Sequence, residues 1–324
     1  MILLTSCEKE KDFGKALYSG DEMISYLTWS EYGDEIYFAV ERDNYRRTLY
    51  GVGINTGDSW KIGDITANYG AALFQKDGKL FYFNDLAYMN TKLYSIDVSG
   101  GTPGMIIDSL ESPVFSRKYV AYLRSYYFPD TSYTRTILYD LDNKTERIIE
   151  PDRNYIPVAI SPDGSTLLLR WWNYYYMSYL TIYNTESGLT ADLATAENSY
   201  YFNYFWIDNE VYTFRESGMG TYEVYNLATR QKLSYSEPLT YQYSFAVSPS
   251  GSKIAYIVTE YPALAGGWVG NHYYLHILKA GASGKTVVDM EREYISGSTL
   301  TFSPDETRIA YVRDDTDIYI MTTN

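Results

Sequence analysis

Three stretches of the chain share one pattern: VAISPDGSTLLLR (residues 158–170), FAVSPSGSKIAYI (residues 245–257) and LTFSPDETRIAYV (residues 300–312). Each has a short apolar run, a Ser-Pro turn with small polar residues, and a second run rich in apolar residues. Proline presets the backbone angle early in the turn, and glycine or a short polar residue tolerates a positive φ, so the chain can reverse within a few residues. The three stretches therefore predict β-hairpins.

The hairpin pattern recurs in weaker forms along the chain. A third strand-like run follows each hairpin, and a shorter, more polar fourth run leads to the next unit. A repeat of about forty residues with four strands per unit is typical of propeller blades. We therefore expect an all-β, seven-bladed β-propeller of four-stranded antiparallel blades, and six or eight blades remain open because the long sixth unit or a weak one can be divided differently. The apolar anchors before the turns lie 41 to 55 residues apart and are Trp29, Phe74, Phe115, Ile160, Trp206, Val247 and Phe302.

The seventh unit shows only three strand-like runs before Asn324. An unpaired edge strand promotes aggregation, and closed folds avoid it. We expect residues 15–20 (KALYSG) to supply the missing strand, so that an N-terminal strand in the last blade closes the ring. Residues 15–324 then form a single propeller domain, preceded by a signal-peptide remnant and lipoprotein tether in residues 1–14.

The SPDG hairpin, followed by strands such as RIAYV (residues 308–312), resembles the TolB-type, WD-like propeller repeat. The resemblance covers nearly the whole chain as a pattern, and three of the seven units carry it clearly. Such repeats occur in periplasmic propellers and in the propeller domains of some serine peptidases. The resemblance implies a propeller used for protein contacts and ligand docking.

The charge balance argues against nucleic acid as a partner. The chain has 41 acidic and 27 basic residues, for a net charge of -14. Nucleic-acid binding depends mainly on lysine and arginine side chains that neutralise phosphates. We therefore expect no nucleic-acid partner.

Cys7 ends the stretch LLTSC (residues 3–7), which resembles the lipobox of bacterial lipoproteins. The resemblance implies that Cys7 is lipidated and becomes the mature N-terminus. MILLTS is shorter than the apolar core of a signal peptide, about 7 to 15 residues, so we expect Met1 to lie inside a longer signal peptide. The alternative is a chance apolar start on a cytosolic protein.

A lipidated Cys7 would place the protein in a bacterial cell envelope, and the acid-rich tether EKEKDFGK (residues 8–15) resembles export signals of surface lipoproteins in some Gram-negative bacteria. We expect an outer-membrane lipoprotein that faces the periplasm or the cell surface, and the acyl anchor would be its membrane contact.

Aromatic residues are concentrated in one set of predicted loops. In a propeller blade, the turns joining strands one to two and three to four lie at one end, which we call the turn face. The loops joining strands two to three, and blade to blade, lie at the other end, which we call the aromatic face. The turn face collects small polar segments such as SPDG and NTGD, whereas the aromatic face collects WNYYYMSY and ENSYYFNY.

Tyrosine and tryptophan combine a broad apolar surface with a polar tip, and extended apolar patches usually mark interaction sites. Packing and binding remain equally open for these loop rings, whereas packing is favoured for tyrosines inside strands, namely Tyr37, Tyr82, Tyr122, Tyr256 and Tyr311. The residues that we predict to form a ligand-binding surface on the aromatic face are Tyr126, Tyr127, Tyr133, Trp172, Tyr174, Tyr175, Tyr176, Tyr200, Tyr201, Tyr241, Tyr243, Trp268 and Tyr273.

The sequence offers few signs of catalytic chemistry. The two histidines, His272 and His276, lie on one predicted strand without further metal ligands at a suitable spacing. No G-x-S-x-G nucleophile turn occurs, which excludes the hydrolase domain of propeller-bearing peptidases. The acidic run in residues 313–317 could hold calcium, although a solvated loop is favoured. We predict no catalytic residue, no metal and no cofactor, while a pair of carboxylates for glycoside chemistry stays open.

These observations lead to one expected function and two alternatives. We expect a lipid-anchored, non-enzymatic propeller whose aromatic face binds a protein partner or an extended ligand. The alternatives are a glycan-binding lipoprotein and a carbohydrate-active enzyme with paired acids near the channel mouth.

Overall fold

The computed structural model describes the chain in segments. They are residues 15–43, 46–67, 73–84, 91–127, 132–149, 155–172, 178–196, 204–207, 210–218, 221–227, 229, 245–260, 263–264, 267–268, 272–279, 285–289 and 299–323. Within these segments the structure is built from β-strands, and they contain no helix with the length and hydropathy of a membrane span.

The first strands in chain order are β1 (Tyr18–Ser19), β2 (Ile24–Trp29), β3 (Glu35–Glu41), β4 (Arg46–Gly53), β5 (Ser59–Thr66), β6 (Leu73–Lys76), β7 (Lys79–Phe83), β8 (Thr91–Asp97), β9 (Gly104–Phe115), β10 (Tyr119–Tyr127), β11 (Ser132–Asp140) and β12 (Thr145–Ile149). The remaining strands are β13 (Ile156–Ile160), β14 (Thr166–Trp172), β15 (Ser178–Asn184), β16 (Thr190–Ala196), β17 (Tyr204–Ile207), β18 (Glu210–Gly218), β19 (Thr221–Asn226), β20 (Phe245–Val247), β21 (Lys253–Glu260), β22 (Ala263–Leu264), β23 (Gly267–Trp268), β24 (His272–Lys279), β25 (Lys285–Asp289), β26 (Thr301–Phe302), β27 (Arg308–Arg313) and β28 (Asp317–Thr322).

The strands form antiparallel groups that follow one another in chain order. We number these groups units 1 to 7. Unit 1 is β2 to β5, unit 2 is β6 to β8 with the start of β9, and unit 3 is the end of β9 with β10 to β12. Unit 4 is β13 to β16, unit 5 is β17 to β19, unit 6 is β20, β21, β24 and β25, and unit 7 is β26 to β28 with β1. The predicted apolar anchors all lie in the first strand of their units.

A buried serine explains the Ser-Pro turns. The backbone N–H of Thr166, which begins the second strand of unit 4, donates to Ser161 Oγ at 2.9 Å, and Gly164 supplies a positive φ of 73°. Serines at the same place in other units accept from the start of their second strands: Ser30 from Glu35, Ser116 from Tyr119, Ser248 from Lys253 and Ser303 from Arg308. The serine hydroxyl therefore stabilises the turn that joins the first two strands of the unit.

Strand β9 joins two units without a separate connection. It runs for 12 residues and links units 2 and 3 into one seven-stranded sheet. Ser109 and Ser112 have positive φ angles of 59° and 48°, and the register with both neighbouring strands shifts here. The bends let one strand serve as the outer edge of unit 2 and the first strand of unit 3.

The core lies between neighbouring units. Apolar side chains of units 2 and 3 form one cluster, units 3 and 4 form another, and units 1 and 7 share a third. The five strand tyrosines predicted to pack are all at most 4% exposed, which confirms that prediction.

The N-terminal strand β1 pairs with β28 of unit 7, where Tyr18 lies opposite Ile318 and Ser19 lies opposite Asp317. The Ser19 hydroxyl also donates to the Asp317 carboxylate at 2.7 Å. Residues from near the two ends of the described chain thus share one sheet.

Candidate functional site

The structure describes part of the predicted aromatic surface. Tyr126 and Tyr127 end β10, Tyr133 lies in β11, and Trp172 is the last residue of β14. Tyr273 is half-buried in β24, and Trp268 lies in β23, part of a short hairpin between the second and third strands of unit 6. The predicted residues outside the described part of the chain are Tyr174, Tyr175, Tyr176, Tyr200, Tyr201, Tyr241 and Tyr243.

Two adjacent tryptophans end β14, and they have different surroundings. The Trp171 ring stacks on Tyr179, with centroids 4.5 Å apart, and its indole N–H donates to Thr181 Oγ1 at 3.1 Å. Trp172, on the other side of the strand, is 43% exposed. The sequence pattern assigns Trp172 to the loop segment WNYYYMSY, but Trp172 pairs with Ser178 and belongs to β14. Trp171 therefore packs, whereas Trp172 presents its ring to solvent.

Arg170 supports the exposed Trp172 ring. Strand alternation puts residues 170 and 172 on the same side of β14, and the Arg170 guanidinium lies 5.0 Å from the Trp172 ring centroid. Arg170 also lies beside Tyr204 of unit 5, whose pKa is raised by burial and lowered to a smaller extent by this arginine. Arg170 therefore lies beside both the Trp172 ring of unit 4 and Tyr204 in the first strand of unit 5.

A second aromatic group lies on unit 3. Tyr126 and Tyr133 are cross-strand partners whose rings stack with centroids 5.1 Å apart. Tyr133 is 42% exposed, and the Arg135 guanidinium lies 5.0 Å from its ring centroid. An exposed ring with an arginine against it therefore occurs twice on the aromatic face.

The two aromatic groups do not face each other. Tyr122 and Ile137 lie on the same side of unit 3 as Tyr126 and Tyr133, and they pack against unit 2. Leu168 lies on the same side of β14 as Trp172, and it packs against unit 5. Tyr133 and Trp172 therefore lie on sides of their units that face unit 2 and unit 5, respectively.

The histidines are too far apart to share a metal ion. His272 and His276 are four residues apart on β24, so their Cα atoms are about 13 Å apart in an extended strand. His276 is buried opposite Tyr256 inside unit 6, and the two ring centroids are 5.2 Å apart. No group of three or more metal-binding side chains occurs in the part of the chain that the structure describes.

The acidic run in residues 313–317 forms the tight turn between β27 and β28. Asp314 and Asp315 have positive φ angles of 51° and 63°, and the Asp315 carbonyl accepts a hydrogen bond from the Ile24 N–H at 2.7 Å. Burial raises the pKa of Asp315, and the charge of Asp314 adds to this effect. The run is therefore a structural hairpin that contacts unit 1.

Three of the solved structures with a similar fold come from enzymes. No family model and no curated protein matches the chain. The oligogalacturonate lyase of Vibrio parahaemolyticus matches with a TM-score of 0.62 and 14% identity, over 95% of this chain and 93% of that one. An oligogalacturonate lyase in complex with manganese matches with a TM-score of 0.55 and 13% identity, over 93% and 89%. A prolyl endopeptidase matches with a TM-score of 0.58 and 11% identity, over 96% of this chain and 51% of that one.

These likenesses and the antiparallel units identify the class of fold as a β-propeller, so the TolB-type resemblance is confirmed at that level. The expectation of a non-enzymatic propeller is wrong, because the oligogalacturonate lyases that share this fold are enzymes. The comparisons agree better with the alternative of a carbohydrate-active protein.

Proposed function

We propose that the chain is a carbohydrate-active β-propeller that takes an acidic oligosaccharide at its aromatic face. The observation that carries the proposal is the exposed Trp172 ring with the Arg170 guanidinium 5.0 Å from its centroid. A sugar ring presents an apolar C–H face that packs on an aromatic ring, and arginine suits the carboxylate of a uronic acid. Tyr133 and Arg135 repeat this combination on unit 3, which supports a ligand longer than one sugar.

The net charge of -14 does not argue against such a ligand as strongly as against nucleic acid. Duplex DNA carries one charge per about 1.7 Å, whereas an oligouronide carries one carboxylate per sugar. A few arginines beside the rings can therefore offset the general repulsion. The oligogalacturonate lyases of similar fold give further support to an acidic sugar.

The manganese of one lyase structure does not fit the described residues. His276 is buried against Tyr256 within unit 6, and His272 is about 13 Å along the same strand. The described residues contain no group of three or more histidine, cysteine, aspartate or glutamate side chains that could hold a metal ion.

Binding and turnover can be tested with oligogalacturonate. Isothermal titration should detect binding to the wild-type protein, and Trp172→Ala should weaken it by about tenfold or more, as expected for a central aromatic contact. Tyr32→Ala is a matched control, because Tyr32 is 88% exposed but lies on the turn face. Circular dichroism checks that both variants fold.

The same samples report on turnover, since shortened or unsaturated products can be detected by chromatography. Absence of binding to oligogalacturonate, or equal affinity in Trp172→Ala, would overturn the proposal.

We also propose that the seven units close into a single seven-bladed ring. The pairing of β1 with β28 and the apolar cluster shared by units 1 and 7 support this arrangement. Deletion of the residues up to Ser19 should lower the melting temperature by several degrees, whereas deletion of residues 1–14 should not. Equal melting temperatures for the two deletions would contradict closure through β1.

We further propose that Cys7, which lies outside the described residues, carries a lipid that anchors the protein in the cell envelope. The support is the LLTSC sequence. Mass spectrometry of the protein isolated from its native membrane should show an acylated N-terminal cysteine, and an uncleaved, unmodified N-terminus would reject the anchor.

A further inference from the structure

A cavity lies between units 2 and 3 and opens at the turn face, the end opposite Trp172. Its volume is about 480 Å³, which is within the range of small-molecule sites. The turns that follow β6 and β11 and the start of β9 form its rim. The sequence-based division of the faces gave no sign of this site, because its aromatic residues come from within strands.

The floor of the cavity is aromatic and rigid. Phe81 and Tyr139 line it, and each is 9% exposed. The Phe81 ring stacks on Phe74 with centroids 5.1 Å apart, and Phe74 stacks on Phe115 at 4.9 Å. Because the Phe81 ring is packed against other rings, this part of the cavity is preorganised for a ligand.

Two apolar side chains on one wall of the cavity are exposed to solvent. Met105 and Ile106 line it and are 53% and 38% exposed. Covering them with the apolar part of a ligand would be favourable, since burial of apolar surface is worth roughly 25 cal/mol per Å². The cavity therefore favours a ligand with a flat apolar body.

The rim of the cavity is cationic, although the protein as a whole is acidic. Lys76, Lys79 and Lys144 line the cavity with two aspartates, Asp77 and Asp142. Lys76 forms an ion pair with Asp142 across the two units and lies 3.9 Å from Asp77. Lys79 lies opposite Asp97 in the pairing of β7 with β8, and the two opposite charges attract each other without forming an ion pair. Among the described residues neither Lys79 nor Lys144 is held in an ion pair, so both ammonium groups can approach an anion in the cavity.

We propose that this cavity binds a small aromatic carboxylate. The carboxylate would lie between the ammonium groups of Lys79 and Lys144, and the ring would lie between the Phe81 floor and the Met105 wall. The proposal concerns a site separate from the aromatic face and is independent of the oligosaccharide proposal.

The probe for the test is 2-naphthoate, and its neutral analogue is 2-naphthalenemethanol. Isothermal titration of the full chain should show that naphthoate binds at least tenfold more tightly than the alcohol. The double variant Lys79→Gln, Lys144→Gln should weaken naphthoate binding by about a hundredfold, because each of the two lost charge-assisted hydrogen bonds is worth about a factor of ten. Lys61→Gln is the matched control, since Lys61 is an exposed lysine of unit 1 paired with Asp64.

A second variant tests the apolar wall. Met105→Glu adds a like charge at an exposed position, so the protein should fold and naphthoate binding should be lost. Trp172→Ala should bind naphthoate as the wild type does, and the double lysine variant should bind oligogalacturonate as the wild type does, which keeps the two proposals distinguishable. No binding of naphthoate at millimolar concentration, equal affinity for the neutral alcohol, or unchanged binding in the lysine variant would overturn the proposal.

Discussion

Trp29 donates its indole N–H to the carbonyl oxygen of Thr301, 3.1 Å away and 272 residues further along the chain. The Arg308 guanidinium lies 5.0 Å from the Trp29 ring centroid and donates to the Gly33 carbonyl at 2.7 Å. Polar contacts therefore reinforce the apolar cluster between units 1 and 7.

Trp29→Phe removes the donor and leaves a small void. The Thr301 carbonyl loses its partner in a largely buried place, so we expect the free energy of unfolding to fall by about 1–3 kcal/mol. Urea denaturation measures this change. Trp172→Phe, at an exposed ring, should change the free energy of unfolding by less than about 0.5 kcal/mol. Equal stability of the two variants would contradict a role for the Trp29 contact.

Ser161→Ala tests the serine that holds the hairpin turn. The Thr166 N–H would lose its hydrogen bond to a serine that is 2% exposed, so we expect a loss of about 1–3 kcal/mol in the free energy of unfolding. Ser187→Ala is the control in the same unit, because the Ser187 hydroxyl is exposed and its bonds are local: it donates to Asn184 Oδ1 at 2.9 Å and accepts from the Leu189 N–H at 3.4 Å. Urea denaturation measures the free energy of unfolding of both variants. Similar losses in Ser161→Ala and Ser187→Ala would contradict a special role for the buried serine.

Gly51→Ala tests how closely β4 approaches a neighbouring ring. A Cβ atom at Gly51 would lie 2.3 Å from a Trp60 ring carbon, so the indole would have to move. Overpacking of this kind costs about 1–3 kcal/mol, which thermal unfolding should reveal. At Gly104 nothing lies within 4 Å of the added Cβ, so Gly104→Ala should leave the melting temperature nearly unchanged. An unchanged melting temperature in Gly51→Ala would mean that the Trp60 ring can move without cost.

Glu146 gives stability a dependence on pH. The Arg124 guanidinium donates two hydrogen bonds to its carboxylate, at 2.7 and 2.8 Å, and the Tyr122 hydroxyl donates a third at 2.7 Å. The bond to Arg124 is the main cause of a lowered pKa for Glu146, although burial acts in the opposite direction. Because the folded-state pKa lies below the unfolded value of about 4.3, the stabilisation is present above that pH and is lost as pH falls through the folded-state pKa.

Glu146→Gln should therefore be less stable than the wild type at neutral pH, and the difference should shrink below about pH 4. Melting temperatures across a pH series measure it. A difference that stays constant across the series would show that the Glu146 charge contributes nothing.

The repeat could be predicted because it depends on local chemistry. Ser161, Pro162 and Gly164 each have a turn-specific role, and apolar runs on both sides identify the strands. The bent strand β9 was not predicted, since its positive φ angles fall on Ser109 and Ser112 rather than on glycine. A serine, unlike a glycine, does not indicate a positive φ angle in the sequence.

The sites could be predicted only in part. Composition predicted that rings such as Trp172 gather on the aromatic face, but it could not give the side of the sheet on which each ring lies. A one-residue shift in the register of a strand reverses that side, because side chains alternate with a period of two. The cavity beside Phe81 and Tyr139 depends on the spacing between units 2 and 3, which the periodicity of the sequence does not encode.

The pairing of Ser19 with Asp317 has a consequence for how the protein is made. These residues are 298 positions apart, so a chain leaving the ribosome exposes β1 long before its partner strand exists. Contacts of such large sequence separation form slowly. The first of the described strands, β1, must therefore wait for β28, and the sheet of unit 7 is completed only after residue 317 has been synthesised.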